Sequence, residues 1–253
     1  MAQRTWRLVA AALTVALGAT PIISPAPAAA RSAAVDQPPN IVVIYIDDVP
    51  PHDGRLWSDP ELTPTLYDRF VDKGIRFPNA IAENPLCCPA RGNLLTGLHT
   101  HNNRLNSNHA RKLNPSEHIG WALGRAGYDT MYIGKYLNRV NLLSASEWSA
   151  HAAGWTHFDV TKGANGEFYG YTLYTKQGDI TDLGQVHSTR MIAERFVQRS
   201  REVPPDRPLF ALLSLYNLHA PNTPMPEYAT DARCSTMPPW NPGHEAGLGG
   251  QRH

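Results

Sequence analysis

The chain has 253 residues, with 23 basic and 22 acidic side chains and a formal charge of +1. So even a balance creates no field that would gather a polyanion, and nucleic acid is excluded as a partner. Its three cysteines leave an odd one out, and the adjacent pair Cys87-Cys88 is too few for a cysteine-rich zinc site.

Residues 1–30 read as a secretory signal. Arg4 and Arg7 give a positive start, residues 8–17 an apolar run, and Ala28 and Ala30 the small side chains a signal peptidase needs. Cleavage is expected near Ala30, which places the chain outside the cell. A membrane span needs about 20 apolar residues, and the run here is shorter, so no stable membrane insertion is expected. Residues 31–39 are polar and contain proline, as a linker would.

Residues 40–46, "NIVVIYI", form an unbroken β-branched run, which predicts a strand buried on both faces. Residues 63–74 predict a helix: Thr63 can cap it, Pro64 suits its first turn and Gly74 its stop, with Leu66, Phe70 and Val71 as the buried stripe. An extended piece follows over residues 75–83. A further helix is expected to begin around Pro89, another covers residues 116–127, and a strand covers 129–136. Residues 167–175 alternate as a half-buried hairpin strand would. A helix over 186–200 is apolar at Met191, Ile192, Phe196 and Val197, and residues 208–217 predict a third buried strand. Strands and helices alternate, so the fold class is α/β with a mostly parallel sheet flanked by helices. The domain is read over residues 40–240, with an irregular tail at 241–253.

Chemistry-bearing residues follow the predicted strands. Asp47 and Asp48 come directly after the first one. Ligands of open α/β sheets bind outside the carboxyl ends of strands. Two adjacent carboxylates repel unless a positive group offsets them, and a hard divalent cation is the usual remedy. A solvated turn is the alternative for the pair taken alone, since aspartate is common in turns.

The stretch "PLCCPARGNLLTG" at residues 85–97 is the second signal. A helix starting there would set Cys87 and Cys88 at its N-terminus, where the backbone favours anions and a thiol is expected to have a lowered pKa. Arg91 lies about one turn after Cys87, so both can face one oxyanion, and arginine grips sulfate or phosphate in two-pronged fashion. Alternatively Cys87 is a plain core thiol, or one of the pair bridges to Cys234; adjacent cysteines themselves rarely bridge.

Cys87-Cys88-Pro89-Ala90-Arg91, with "LLTG" ending at Gly97, resembles the signature of the type I sulfatases, and the Asp pair lies upstream as it does there. The register places the reactive residue at Cys87, since starting from Cys88 would put Ala90 where proline belongs. The resemblance implies an alkaline phosphatase/sulfatase-like sheet. It also implies that a formylglycine-generating enzyme oxidises Cys87 to formylglycine, whose hydrate attacks the sulfur of a sulfate ester and later collapses to release sulfate. Asp47, Asp48 and residue 87 would then be ligands of a calcium ion. Lys135, in "GKYLN", matches the lysine that contacts sulfate, and His219, in "LHAP", the histidine that contacts sulfate or the leaving oxygen. Histidine suits a general acid near neutral pH.

Further pieces, "GLHTHNN", "FYGYTL" and "HAPNTPMPEY", are similar to the N-acetylglucosamine-6-sulfatases and related glycosaminoglycan sulfatases. A sulfated sugar is the implied substrate. Many relatives place histidine two residues after the lysine; here Leu137 stands there and Asn138 follows, which leaves the role of Asn138 open. Asn138 and His101 are the candidates for the sugar side, with His99 and His109 nearby, and exposed loop histidines are an equal reading.

The resemblance covers about residues 38–240. Family members carry a later Asp-Asn-Gly motif and a second lysine, and no Asp-Asn pair occurs in this sequence. The expectation is a truncated chain, or a half-domain, that binds calcium weakly and turns over little substrate. The competing functions are a phosphodiesterase or phosphonate hydrolase of the same superfamily, and a non-catalytic glycan-binding remnant.

Overall fold

The computed structural model of the chain describes residues 38–49, 59–162, 168–180 and 182–235. The expected signal segment, most of the expected linker and the expected tail lie outside the described residues. Among the described residues, six strands form one sheet in the order β1-β6-β2-β3-β4-β5. In chain order, β1 is Ile41–Tyr45, β2 Asp129–Lys135, β3 His157–Lys162, β4 Thr172–Thr175, β5 Gly178–Ile180 and β6 Leu209–Ser214. The first four in spatial order run parallel, β4 runs antiparallel to β3, and β5 antiparallel to β4. This is the mixed, mostly parallel α/β sheet expected. The helices are α1, Pro64–Leu66 running on into a wider turn at Tyr67–Val71, then α2, Cys87–Thr96, and α3, Thr100–Asn103. After them come α4, Ile119–Arg125, α5, Ala145–Ala153, and α6, Ser188–Ser200.

The central strands explain the layering. Every residue of β2 and β6 is buried. Alternate side chains feed opposite faces. Tyr132, Phe158, Phe210 and Leu212 pack with Leu95 of α2 and with α4 and α5 on one face. Met131, Ile133, Ala211 and Leu213 meet Met191 and Ile192 of α6 on the other. Burying a side chain of that size stabilises by roughly 1.5–3 kcal/mol, so these two clusters hold the sheet.

Two expectations are corrected. The first strand is not buried on both faces: Ile41, Val43 and Tyr45 pack inward, while Val42 and Ile44 are each 45% exposed. The reason is position. Among the described residues β1 pairs only with β6, and α6 packs over β2 and β6 instead. The stripe on α1 also fails to bury, with Phe70 55% exposed, because none of its residues reaches the core.

β3 and α5 had no sequence expectation. β3 hides its signal in Asp159, fully buried and bonded by Arg195 at 2.8 Å and Arg199 at 2.9 Å. α5 starts with a capping box, in which Ser144 accepts from the Glu147 N–H and Glu147 accepts from the Ser144 N–H.

Gly134 sets how closely two of the central strands approach. Its φ is +106°, and a Cβ there would collide with the Ser214 carbonyl oxygen. Only glycine lets β2 run this close to the end of β6, directly before Lys135.

Candidate active site

The loops after β1 and β6 continue to hold each other beyond the sheet. The Leu215 N–H donates to the Tyr45 carbonyl, and the Asp47 N–H donates to the Asn217 carbonyl at 2.7 Å. An extended chain would point consecutive side chains apart. Asp48 instead has φ of +48°, a left-handed turn that aspartate tolerates. Carboxylate oxygens of Asp47 and Asp48 and the sulfur of Cys87 consequently lie within 4.8 Å of one another. Asp47 is buried and Asp48 exposed.

Cys87 opens α2, which begins two residues earlier than Pro89; Leu86 before it is extended. Both Cys87 and Cys88 are free thiols, so neither bridges to Cys234. The expectation of a lowered thiol pKa at Cys87 is overturned. Burial pushes it up; Lys135 and Arg91 oppose the rise, and Asp47 and Asp48 add to it.

Lys135 ends β2, is 3% exposed and bonds through Nζ to Asp47. The same Nζ lies 3.8 Å from the Cys87 sulfur and over the ring of Tyr216. Arg91 is 1% exposed. Its Nη1 donates to the Lys135 carbonyl at 2.9 Å and to Ser214 Oγ, and its Nη2 pairs with Asp47 at 3.4 Å. The guanidinium also covers the Tyr45 ring. Arg91 therefore ties β1, β2 and β6 together at the point where their chemistry emerges.

His219 approaches from the loop after β6. Its Nε2 is 3.7 Å from Asp48, and its Nδ1 bonds the Ala220 carbonyl. Asn138 engages Cys88 rather than Cys87: its N–H donates to the Cys88 sulfur, and its Oδ1 lies 3.3 Å from that thiol. His101 is exposed and stacks on His99. Sequence reasoning missed Ser214, Tyr45 and Tyr216. The one available signal was a polar or aromatic residue closing each apolar strand run.

Two carboxylates are the right kind of donor for calcium, which takes six to eight oxygens, yet they supply at most four. Among the described residues no third carboxylate joins them. Lys135 and Arg91 also already balance Asp47. The donor chemistry fits a hard cation, and the donor number makes the fit a loose one.

The sulfatase family model matches residues 39–241. An extracellular sulfatase SULF-1 homolog of Drosophila melanogaster is 28% identical over 78% of this chain and 18% of its own length. An arylsulfatase of Volvox carteri is 31% identical over 74% of this chain and 30% of its own. Matches extend to N-acetylglucosamine-6-sulfatases and N-acetylgalactosamine-6-sulfatases alike, so the similarity spans several subtypes and does not single out the glucosamine branch. The structure of BT4656 in complex with its substrate D-glucosamine-2-N,6-O-disulfate superposes with a TM-score of 0.63 at 26% identity, over 75% of this chain and 36% of that one. The chain thus spans about a third or less of the length of these relatives.

Proposed function

The chain belongs to the sulfatase family, and we propose that it carries the residues with which a secreted sulfatase attacks and grips the sulfate ester of a sulfated sugar. The carrying observation is the meeting of Asp47, Asp48 and Cys87 within 4.8 Å, with Lys135 on top of them. The similarity to a complex with a disulfated glucosamine supports an amino-sugar substrate of the glycosaminoglycan type. The segment at residues 1–30 supports export.

In this reading Cys87 is a precursor: a formylglycine-generating partner converts it, and the resulting group supplies the attacking oxygen. Asp47 and Asp48 would hold calcium, which when bound offsets the charge of the sulfate. Lys135 places an ammonium 3.8 Å from the sulfur of residue 87, where a negatively charged ester oxygen would sit. Arg91, which bonds the Lys135 carbonyl and pairs with the Asp47 carboxylate, would steady the groups that grip the ester. With Nδ1 of His219 bonded to the Ala220 carbonyl, Nε2 is the atom left to protonate the departing alcohol. His101 and Asn138 are the residues we assign to the sugar side, and the exposure of His101 supports its part in this.

The test is co-expression with a formylglycine-generating enzyme, mass spectrometry of the peptide spanning residue 87, and parallel assays on 4-nitrophenyl sulfate and 4-nitrophenyl phosphate. An aldehyde at residue 87 and sulfate release abolished in Cys87→Ala support the reading. Faster hydrolysis of the phosphate ester would replace it with a phosphoesterase. Unmodified cysteine with retained binding of a sulfated oligosaccharide would replace it with a glycan-binding protein.

A further inference from the structure

The second cysteine of the pair takes no part in the sulfate chemistry, yet it is among the most completely enclosed side chains of the chain, at 0% exposure. Three hydrogen bonds converge on it. Its backbone N–H, one of those a helix start leaves without an internal partner, donates to Asn108 Oδ1 at 3.0 Å. Its sulfur accepts the Asn138 N–H at 3.0 Å. Its thiol in turn lies 3.3 Å from Asn138 Oδ1 and donates to it. The Asn138 carbonyl closes the ring by accepting the Ala110 N–H at 3.0 Å.

Three segments are interlocked in this way: the start of α2, the loop around residues 108–110, and the turn three residues beyond Lys135. Cys87 and Lys135 sit one residue and three residues from the knot.

We propose that Cys88 is a positioning residue, whose thiol reads the backbone N–H and the side-chain oxygen of Asn138 together and thereby fixes the separation of residue 87 from Lys135. The proposal rests on the sulfatase reading for what that separation serves, but not for the latch itself. Serine keeps the donor and acceptor; alanine removes both; valine fills the space without either.

The experiment is amide hydrogen exchange at Asn138 in the parent chain and in Cys88→Ala, Cys88→Val and Cys88→Ser. The latch predicts exchange about tenfold faster in the alanine and valine variants, the loss of one hydrogen bond, with β6 unchanged and Cys88→Ser close to the parent. In the matured protein, kcat on 4-nitrophenyl sulfate falls in the alanine and valine variants with KM nearly constant, and serine restores it. Unchanged exchange at Asn138 overturns the proposal. So does equal acceleration across β2 and β6, which would make Cys88 a packing residue only. If alanine fails to fold, valine decides. Faster exchange at Asn138 alone, in a chain that cleaves no sulfate ester, would keep the latch and remove the sulfatase reading.

Discussion

Lys135 at the end of β2 and Asp47 beyond β1 form an ion pair across the tip of β6, with both side chains under a tenth exposed. Such a pair is costly to desolvate and costly to break, because removal of one partner strands the other. Here the pair also concerns the metal. A calcium ion on Asp47 and Asp48 must share Asp47 with an ammonium group already bonded to it. Lys135→Met should therefore lower stability by roughly 3–5 kcal/mol in chelator-treated buffer. Added calcium should then raise the Tm of the variant more than that of the parent, by mass action on a less contested site. Thermal melts with and without calcium check this. A larger calcium effect in the parent would mean that Lys135 helps to hold the ion.

Arg91 is predicted to be irreplaceable by lysine. Its two bonds from Nη1, to the Lys135 carbonyl and Ser214 Oγ, and its pairing through Nη2 with Asp47 need a planar fork. Arg91→Ala should cost roughly 3–5 kcal/mol and Arg91→Lys nearly as much, read by urea denaturation. Ser214→Ala, which removes a single acceptor, should cost about 1 kcal/mol. An Arg91→Lys variant as stable as the parent would refute the anchoring role.

These contacts also mark how far the sequence could be read. The central strands and α6 were legible because β2 and β6 are continuous apolar runs buried by layers above and below. β1 reads the same way, but a run of β-branched residues does not say what covers it, and half of it is exposed. β3 was illegible because Asp159 is neutralised by Arg195 and Arg199, some forty residues later. Asp47 and Asp48 stood out as carboxylates after an apolar run, Cys87 and Arg91 in the stretch that opens α2 and Lys135 through the sulfatase-like motif, and the fold brings them together. Ser214, Asn108 and Tyr45 act through contacts made only in three dimensions, which a polar or aromatic residue at the close of an apolar run does not reveal.

Gly134 should tolerate no side chain. A Cβ at this position runs into the Ser214 carbonyl, and the φ of +106° is itself unfavourable for alanine. Gly134→Ala should push β2 from β6 beside Lys135, lowering stability by several kcal/mol, of the order seen for overpacking combined with backbone strain. Gly124→Ala is the control, since nothing lies within 4 Å of the place its methyl would take and it falls within α4. Circular dichroism melts of the two variants compare them directly. Equal behaviour would show that β2 and β6 can separate without penalty.

The outer residues of β1 are expected to govern association. Val42 and Ile44 are each 45% exposed, on a strand paired on one side only among the described residues. A free apolar edge invites pairing with another chain. Val42→Lys with Ile44→Thr should change stability by less than about 1 kcal/mol, as surface substitutions usually do. Light scattering at raised concentration should fall. Unchanged scattering would place the associating surface elsewhere, for instance at Ile75, Phe77 and Ile81.

Stability should fall steeply in mild acid because of two buried histidines. His118 is 4% and His151 2% exposed. Burial lowers the pKa of His118 to about 4, with the nearby His151 adding to the effect, and burial lowers His151 to about 4 as well. His118 stacks on Trp155, and His151 Nδ1 bonds the Tyr136 hydroxyl at 2.9 Å. In the unfolded chain both titrate near the ordinary 6.5. The unfolded state thus binds protons first, and unfolding gains as pH drops. Both contributions are complete above about pH 6.5 and are lost progressively toward pH 4, each adding about 1.4 kcal/mol per pH unit to the slope in that window. His118→Phe keeps a ring against Trp155 and removes one proton site, so its stability should fall about half as steeply over the same range. Urea denaturation at intervals from pH 7 to about pH 4 measures the slope. A variant as acid-sensitive as the parent would show that the proton uptake on unfolding lies elsewhere.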